Sequence, residues 1–511
     1  MTTKATTLQK LLPFCSVMCC LIALYFLGHT YYVLFVKGLN LDEATTIAVL
    51  DRESLLISIV NTVKNIHSGW LYPLFIFPLL NKFFVQYNEP ILRVSSLLFI
   101  LAFVYRSARF AQNFGLTKIE SYYLGLLLLS MPGIFSTATV VRPYAIASYL
   151  SILSIEIQWW LVKRKSYKFF LFLPLAILLI FLFHPLYAIS FGLCSLVLLL
   201  YKSPINLQSF LKERLRFVLC AGALFLIGAT PLFMTLLKRI ALVNASGVYT
   251  SNLPDLFFVW EAGRSACLSM VFLLIYGVLS KLIRSRQADL KNLEAIAHYK
   301  NFKVAAFCWI SVPIMYWIIH TYLDIPINYF RYMNLPSVFL LTTLLLSTHI
   351  IKSHLLRQYF LLIVLLYSTW DSAFSTRILL KDDTRKVQQF IGQLNDSSIP
   401  ILISTGHIES VSEDYILDVD HQAVNTAPLK AYGVLNPSMA LPFRPADLNT
   451  MSRYQSKLKS FIAHTEGSNF IVIGNEPEEW VSTMSELFGV SCHVIADLIR
   501  FSAITCSKAT L

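Results

Sequence analysis

The stretch "GWLYPLFIFPLLNKFF", residues 69–84, decides how the whole chain is threaded. It is apolar enough to invite reading as a membrane crossing. It is also short, and Pro73 and Pro78 interrupt it. A crossing helix needs about 20 consecutive apolar residues, because each adds about 1.5 Å of rise against a hydrocarbon layer about 30 Å thick. Charge settles the matter. Counting 69–84 as a crossing would invert every later segment and place most of the basic connections outside, against the positive-inside rule. The stretch is therefore read as a helix lying in the outer interface.

With that orientation, eleven segments qualify as spans: 13–36, 90–109, 119–135, 137–162, 168–183, 185–201, 217–237, 264–283, 304–321, 329–350 and 357–376. The basic groups between them, such as Arg106, Arg109 and Lys118, then Lys163 to Lys168, then Lys202 to Arg216, all fall on the side of Lys4 and Lys10. Lys238 and Arg239 fall on the other side. A chain of 511 residues that is 56% hydrophobic and 14% charged, with a mean hydropathy of +0.62, fits a polytopic α-helical membrane protein and not one soluble core. The first segment, 13–36, lacks a small-residue cleavage site and is read as a retained anchor.

From Arg377 onward the composition changes. The tail holds 11 basic and 15 acidic residues, net −4, whereas residues 1–376 hold 31 and 14, net +17. A basic membrane domain, 1–376, and a mildly acidic exported domain, 377–511, are what the orientation rule produces. Nucleic acid is excluded as a partner, because the basic residues punctuate apolar runs and form no continuous face. In the tail, "IPILIST" and "NFIVIG" read as buried strands and "EEWVSTMSELFG" as an amphipathic helix ending at a glycine, which gives a small α/β domain. "VIGNEPEEW" lacks the glycine spacing of a phosphate loop. Of nine cysteines, seven lie in apolar stretches. Cys492 and Cys506 flank a hairpin-like segment and are candidates for a cross-strand disulfide, or for two separate thiols.

The first outer loop, residues 37–89, is too long for a connector and contains the amphipathic stretch "LDEATTIAVLDRESLLISIVNTV" as well as the interfacial helix. Polar residues collect at the same level. Asp42, Glu43 and His67 lie in the loop, Arg93 lies three residues into the next helix, and Arg142 lies about five residues into the segment 137–162. His184 sits at the Pro185 break, and Arg331 and Tyr332 open a further segment. Charge is expensive next to hydrocarbon, so several charges at one depth suggest a shared polar cavity. Each has a plainer reading: Arg142 and Arg93 as headgroup anchors, Asp42 and Glu43 as helix caps, His67 as a solvated loop residue, His184 as a structural histidine at a helix break. Taken together, arginine suits bidentate contact with a phosphate, a carboxylate can accept a hydroxyl proton, and a carboxylate with a histidine can hold a divalent metal.

These stretches follow one another in a familiar order. "NLDEATTIAVLD" places an acidic pair after the first helix, and "HSGWLYPLF" stands where a His-Pro-Pro-Leu-Tyr type motif is expected. "EPILRVSSLLFILAFVYRSARFAQNFGL", "VVRPYAIASYLSIL" and "FRYMNLPSVFLL" follow. The pattern resembles the polytopic GT-C glycosyltransferases of the protein O-mannosyltransferase and lipid A aminoarabinose transferase type, well over residues 10–200 and loosely over 300–350. The resemblance implies transfer of a sugar from a polyprenyl-phosphate donor to a glycan, lipid or protein acceptor at the outer face, with inversion. It implies Asp42 as the base on the acceptor, with Glu43 as its neighbour or as a metal ligand. It sets His67, Tyr72, Arg142 and Tyr144 by the donor phosphate. Arg331 joins that phosphate set, Arg93, His184 and Tyr332 support it, and Glu43 and His67 are the candidate ligands of a divalent metal. Three positions depart from the pattern: Ser68 and Gly69 replace the two prolines, Ser95 replaces the proline after Arg93, and Val140 replaces the acidic residue before Arg-Pro-Tyr. The alternatives are a transporter or flippase of a lipid-linked sugar and an inactive assembly protein of the same fold. The expected location is a bacterial inner membrane with the tail in the periplasm.

Overall fold

The computed structural model describes residues 54–64, 69–76, 89–164, 168–202, 267–275, 293–323, 330–351, 353–379, 399–404, 438–441, 452–464, 469–474, 477–498 and 501–508, with isolated positions such as Glu43. By contacts the chain divides into two units. The first takes in Arg93–Phe233 and Leu253–Arg377 and the second Val33–Leu92 and Ile378–Leu511, together with smaller pieces.

The described helices of the first unit are α2 (Glu89–Ala111), α3 (Lys118–Leu129), α4 (Pro132–Ala138), α5 (Tyr144–Lys163), α6 (Phe169–Phe183), α7 (Pro185–Lys202), α8 (Leu293–Leu323), α9 (Asn334–Ser347) and α10 (His354–Leu379); α1 (Leu55–Lys64) precedes them in the first loop. Among the described residues, three helices are long and apolar enough to cross a membrane, or up to four if the bent pair α3–α4 is one span. Three shorter apolar helices accompany them. The chain is a multi-pass membrane protein. Of the eleven expected spans, 13–36 and 217–237 lie outside the described residues apart from isolated positions.

Proline places the breaks. The segment read as one span at 119–135 is two helices meeting at 69°. Met131 is extended before Pro132, which opens α4. Proline has no N–H to give and drives the residue before it out of the helical region, so the bend falls there. The same rule corrects the next segment. A helix from 137 was expected, with Arg142 inside it. Instead Pro143 is the N-cap, α5 begins at Tyr144, and Arg142 lies in the turn before it. At the far end of α6, His184 is extended at φ −165° before Pro185, as its sequence suggested.

The helices alternate between two ends. One end is tied by polar bonds. Thr117 and Glu120 form a capping box, with Glu120 N–H donating to Thr117 Oγ1 at 3.2 Å and Thr117 N–H donating to Glu120 Oε2 at 2.8 Å. The other oxygen of Glu120 meets His349 Nε2 at 2.8 Å and Arg357 Nη1 at 3.3 Å. This joins α3 to the start of α10. Asn301 of α8 donates to the Phe114 carbonyl at 2.7 Å, and Lys163 of α5 to Asn113 Oδ1 at 2.8 Å. The opposite end gathers the start of α2, the 139–143 turn, the α6–α7 junction and the start of α9.

In the second unit the tail forms a mixed five-stranded sheet of order β2-β1-β3-β5-β4. Its strands are β1 (Ile401–Ser404), β2 (Ser438–Leu441), β3 (Asn469–Gly474), β4 (Val490–Leu498) and β5 (Phe501–Lys508). β1 lies parallel to both β2 and β3, and β5 is antiparallel to β3 and β4. The helices are α11 (Ser452–His464) and α12 (Pro477–Phe488). Trp480 and Met484 of α12 and Leu458 of α11 pack with Leu402, Phe470, Val472 and Ile504 of the sheet. This apolar contact on one sheet face supplies the main stabilising term of the domain. α12 ends at Gly489, whose φ of +61° suits a residue without a Cβ. Cys492 and Cys506 are joined by a disulfide. Their pairing depends on a bulge: the hairpin closes on Leu498 opposite Phe501, and a one-residue shift between Val494 and Ala496 brings Cys492 opposite Cys506. Without it Cys492 would face Ser507.

Candidate functional site

Two arginines are buried at the same end of the helical unit. Arg142 is 8% exposed and Arg93 fully buried. A hydrogen bond sets their relation. Ser96 Oγ donates to the Val140 carbonyl at 2.8 Å, so the first turn of α2 lies against the 139–143 turn. Arg93 lies three residues before Ser96 and so on the same face of α2. The turn itself is tight, with Arg142 N–H donating to the Val140 carbonyl at 2.9 Å, and α5 then winds on from the Pro143 carbonyl. The backbone conformation that carries Arg142 is thus fixed by the proline that follows it.

Around Arg142 is a cluster of rings. Its guanidinium lies 5.8 Å from the centre of the Tyr144 ring. Tyr144 meets His184 at 5.2 Å and Tyr332 at 5.8 Å, and His184 meets Tyr332 at 4.9 Å. Tyr187 completes the group, edge-on to His184 at 5.5 Å. Four elements contribute: the α5 entrance, the α6–α7 junction, the first turn of α7 and the 3-10 turn Phe330–Met333 before α9. Each ring enters at or beside a helix end, where side chains converge that a continuous helix would fan out.

Asn334 locks these elements together. It is buried, and its amide nitrogen lies 3.1 Å from Thr137 Oγ1, 2.9 Å from Ser148 Oγ and 3.0 Å from Tyr187 Oη. It therefore ties α9 to α4, α5 and α7 next to Tyr332. A polar group among apolar helices is costly unless bonded, and here the two N–H groups of one amide nitrogen are shared among three hydroxyls.

The structure brings together Arg142, Tyr144, His184 and Tyr332, with Arg93 on the neighbouring turn. The backbone of Arg331 belongs to the same 3-10 turn as Tyr332, and its side chain lies outside the described residues. Asp42 and His67 lie outside them as well. Two loop residues belong to the second unit. Glu43 is on a helix and 1% exposed, and Tyr72 is buried in the turn that opens the Pro73–Ile76 helix. Tyr72 N–H donates to the Gly69 carbonyl at 2.8 Å, and Gly69 has a φ of +101°. Proline, held near φ −65°, cannot adopt that conformation, so the local backbone accounts for glycine where the resembling motif has proline. Among the described residues, no three His, Cys, Asp or Glu converge as a metal-ligand set.

Sequence reasoning passed over Asn334, Tyr187 and Asp371. Asp371 is buried in α10, one turn beyond Ser368, whose hydroxyl accepts from Ser130 at 2.7 Å. A lone carboxylate inside the apolar run "LLYSTWDSAF" was a signal of the kind that marks function in membrane helices. Asn334, two residues past Tyr332, was another.

No family model and no curated protein matches the chain. Among solved structures it is similar to the crystal structure of ArnT from Cupriavidus metallidurans bound to undecaprenyl phosphate, at 13% identity over 96% of this chain and 98% of that one, with a TM-score of 0.42. It is also similar to the apo state of the same protein, at 11% identity over 97% and 98%, with a TM-score of 0.41.

Proposed function

We propose that the chain is a glycosyltransferase that takes a sugar from a polyprenyl-phosphate donor and passes it, with inversion, to an acceptor at the outer membrane face. The observation that carries this reading is the burial of Arg142 at a helix entrance, against Tyr144 and beside His184 and Tyr332. An arginine that merely anchored in headgroups would extend to the surface. A buried guanidinium stays charged and offers a planar fork of N–H donors that matches a phosphate.

In the proposed reaction Arg142, with Arg331 and His67, holds the donor phosphate. The bond between the anomeric carbon and the phosphate oxygen breaks, and the acceptor oxygen bonds to that carbon from the opposite side. Asp42 takes the acceptor's proton. The donors around the phosphate stabilise the charge it gains as it leaves. Tyr144, Tyr332 and His184 line the approach and fix the arginine. Should a divalent ion take part, Glu43 with His67 would hold it, and its chemistry would be to neutralise phosphate charge.

The test is transfer from a radiolabelled polyprenyl-phosphate sugar in vesicles. Asp42→Asn should reduce transfer by at least about a hundredfold, the usual scale for a lost general base, while polyprenyl phosphate still binds. A variant that transfers at the wild-type rate removes the base assignment. Label carried across the membrane intact would identify a transporter, and label left untouched an assembly protein.

A further inference from the structure

At the opposite end of the same helix pair lies a polar cavity. It measures about 330 Å³, and Tyr105, Arg106, Arg109, Asn113, Glu156 and Trp159 line it. Counting from Tyr144 to Trp159, it sits roughly 20 Å along α5 from the ring cluster, so the two sites are separate. Its charge is unbalanced. Arg106 pairs with Glu156, the one carboxylate in the wall. Arg109 is exposed, lies 5.9 Å from the Tyr105 ring, and makes no ion pair among the described residues. Lys163 is not itself in the wall, but it donates to Asn113 Oδ1 and lies 5.4 Å from the Trp159 ring, and both of those residues line the cavity. Two cations of the wall and one bonded to its Asn113 thus stand against one carboxylate, which leaves two positive charges for an incoming anion.

A stripe on α2 says what carries that anion. Leu98, Leu101 and Tyr105 are exposed, and with Arg109 they are spaced three, four and four residues apart, which puts them on one face. α2 is long and apolar enough to cross the membrane, so this face meets acyl chains and leads down to the cavity. Apolar stripe, aromatic rings and a cationic cavity follow one another in the order of a phospholipid's chain, glycerol region and phosphate.

We infer that this cavity binds the phosphate of an anionic glycerophospholipid, with Arg109 and Lys163 on the phosphate and an acyl chain along Leu98, Leu101 and Tyr105. The inference needs only that α2 spans the membrane and does not depend on the transferase reading.

The test is native mass spectrometry of the full chain released from mixed phosphatidylglycerol and phosphatidylcholine micelles. The wild type should retain phosphatidylglycerol preferentially. Arg109→Gln should cut that preference about fivefold, and Arg109→Gln with Lys163→Gln about twenty-fivefold, since each basic group at an anionic surface contributes about that factor. Both side chains are exposed, so the fold should survive, and the thermal midpoint checks it. Lys118→Gln, an exposed cation outside the cavity wall and, unlike Lys163, not bonded to Asn113, should leave the preference intact. An unchanged preference in the double variant overturns the proposal, and so does an equal loss in Lys118→Gln, which would mean that only general surface charge matters. Displacement of the lipid by inorganic phosphate at equal concentration would also overturn it, in favour of a free-anion site.

Discussion

Replacing Arg142 by alanine removes a guanidinium that is 92% buried at the entrance to α5. Its contact with a ring and its proposed contact with a phosphate differ greatly in size. The contact with the Tyr144 ring, at 5.8 Å, contributes about 0.5–1 kcal/mol, and its loss should cost little stability. Charge-assisted hydrogen bonds to a phosphate are each worth about 1.5–3 kcal/mol. Two such bonds in a bidentate fork give, at the low end of that range, about 3 kcal/mol in all, or about 150-fold in dissociation constant. Lysine keeps the charge but offers a point contact, so Arg142→Lys should retain about half of that free energy and bind about tenfold more weakly than wild type. The assay is polyprenyl phosphate binding to the detergent-purified chain, with a thermal melt as the control for folding. The order arginine, lysine, alanine, with both gaps present, is the expected result. A folded alanine variant that binds polyprenyl phosphate within about twofold of wild type would refute the assignment. Equal binding by arginine and lysine would refute the fork and leave only a charge.

Two further substitutions probe the packing around each centre. Asn334→Leu removes the amide shared by Thr137, Ser148 and Tyr187, and with two N–H groups lost at the modest values typical of membrane interiors it should cost about 1–2 kcal/mol. A lower thermal midpoint together with weaker polyprenyl phosphate binding is expected, and an unchanged midpoint would mean that the three hydroxyls re-pair among themselves. In the tail, a Cβ on Gly474 would lie 2.8 Å from Ser404 Cβ and 2.9 Å from Trp480 Nε1, so Gly474→Ala should destabilise that domain by about 1–3 kcal/mol. Faster proteolysis of the tail, with unaltered sugar transfer, is the readout.

Local chemistry was legible, and facing was not. The sequence placed the helix end at His184, the strands at 401–404 and 469–474 and the glycine after α12, because proline, β-branched runs and glycine act on the backbone within a few residues. It also gathered Arg142, His184 and Tyr332 at one level, because charge and proline both mark helix ends, and the family resemblance added Tyr144. It missed the break at Met131–Pro132 and started α5 too early, treating apolar continuity as helical continuity although proline stood in both places. It missed Asn334 and Asp371 for a different reason. In a helix that is apolar all round, no periodicity tells which face meets protein and which meets lipid. The disulfide shows a third limit: the hairpin-like segment between the two cysteines made them candidates for a pair, but a bulge that no local residue type announced set the register.

Proline also offers a way to separate the presence of Arg142 from its placement. Pro143 lacks an N–H and ends the helix on its N-terminal side, which leaves Arg142 in a turn bonded to Val140. In Pro143→Ala the restraint on Arg142 disappears, and α5 can wind back over residues 142 and 143. Each added helical residue turns the chain by about 100°, so the guanidinium would swing away from Tyr144 even though its charge and side chain remain. Stability should change little, because the added helical hydrogen bond offsets the lost rigidity of proline, worth about 0.4–1 kcal/mol. Binding of polyprenyl phosphate should nevertheless weaken by about tenfold or more, approaching the loss in Arg142→Lys. If Pro143→Ala binds as well as wild type, placement by the Arg-Pro junction is not what forms the site. A variant that keeps its thermal midpoint and loses binding would show that the site depends on the helix beginning at Tyr144 and on the turn that holds Arg142 before it.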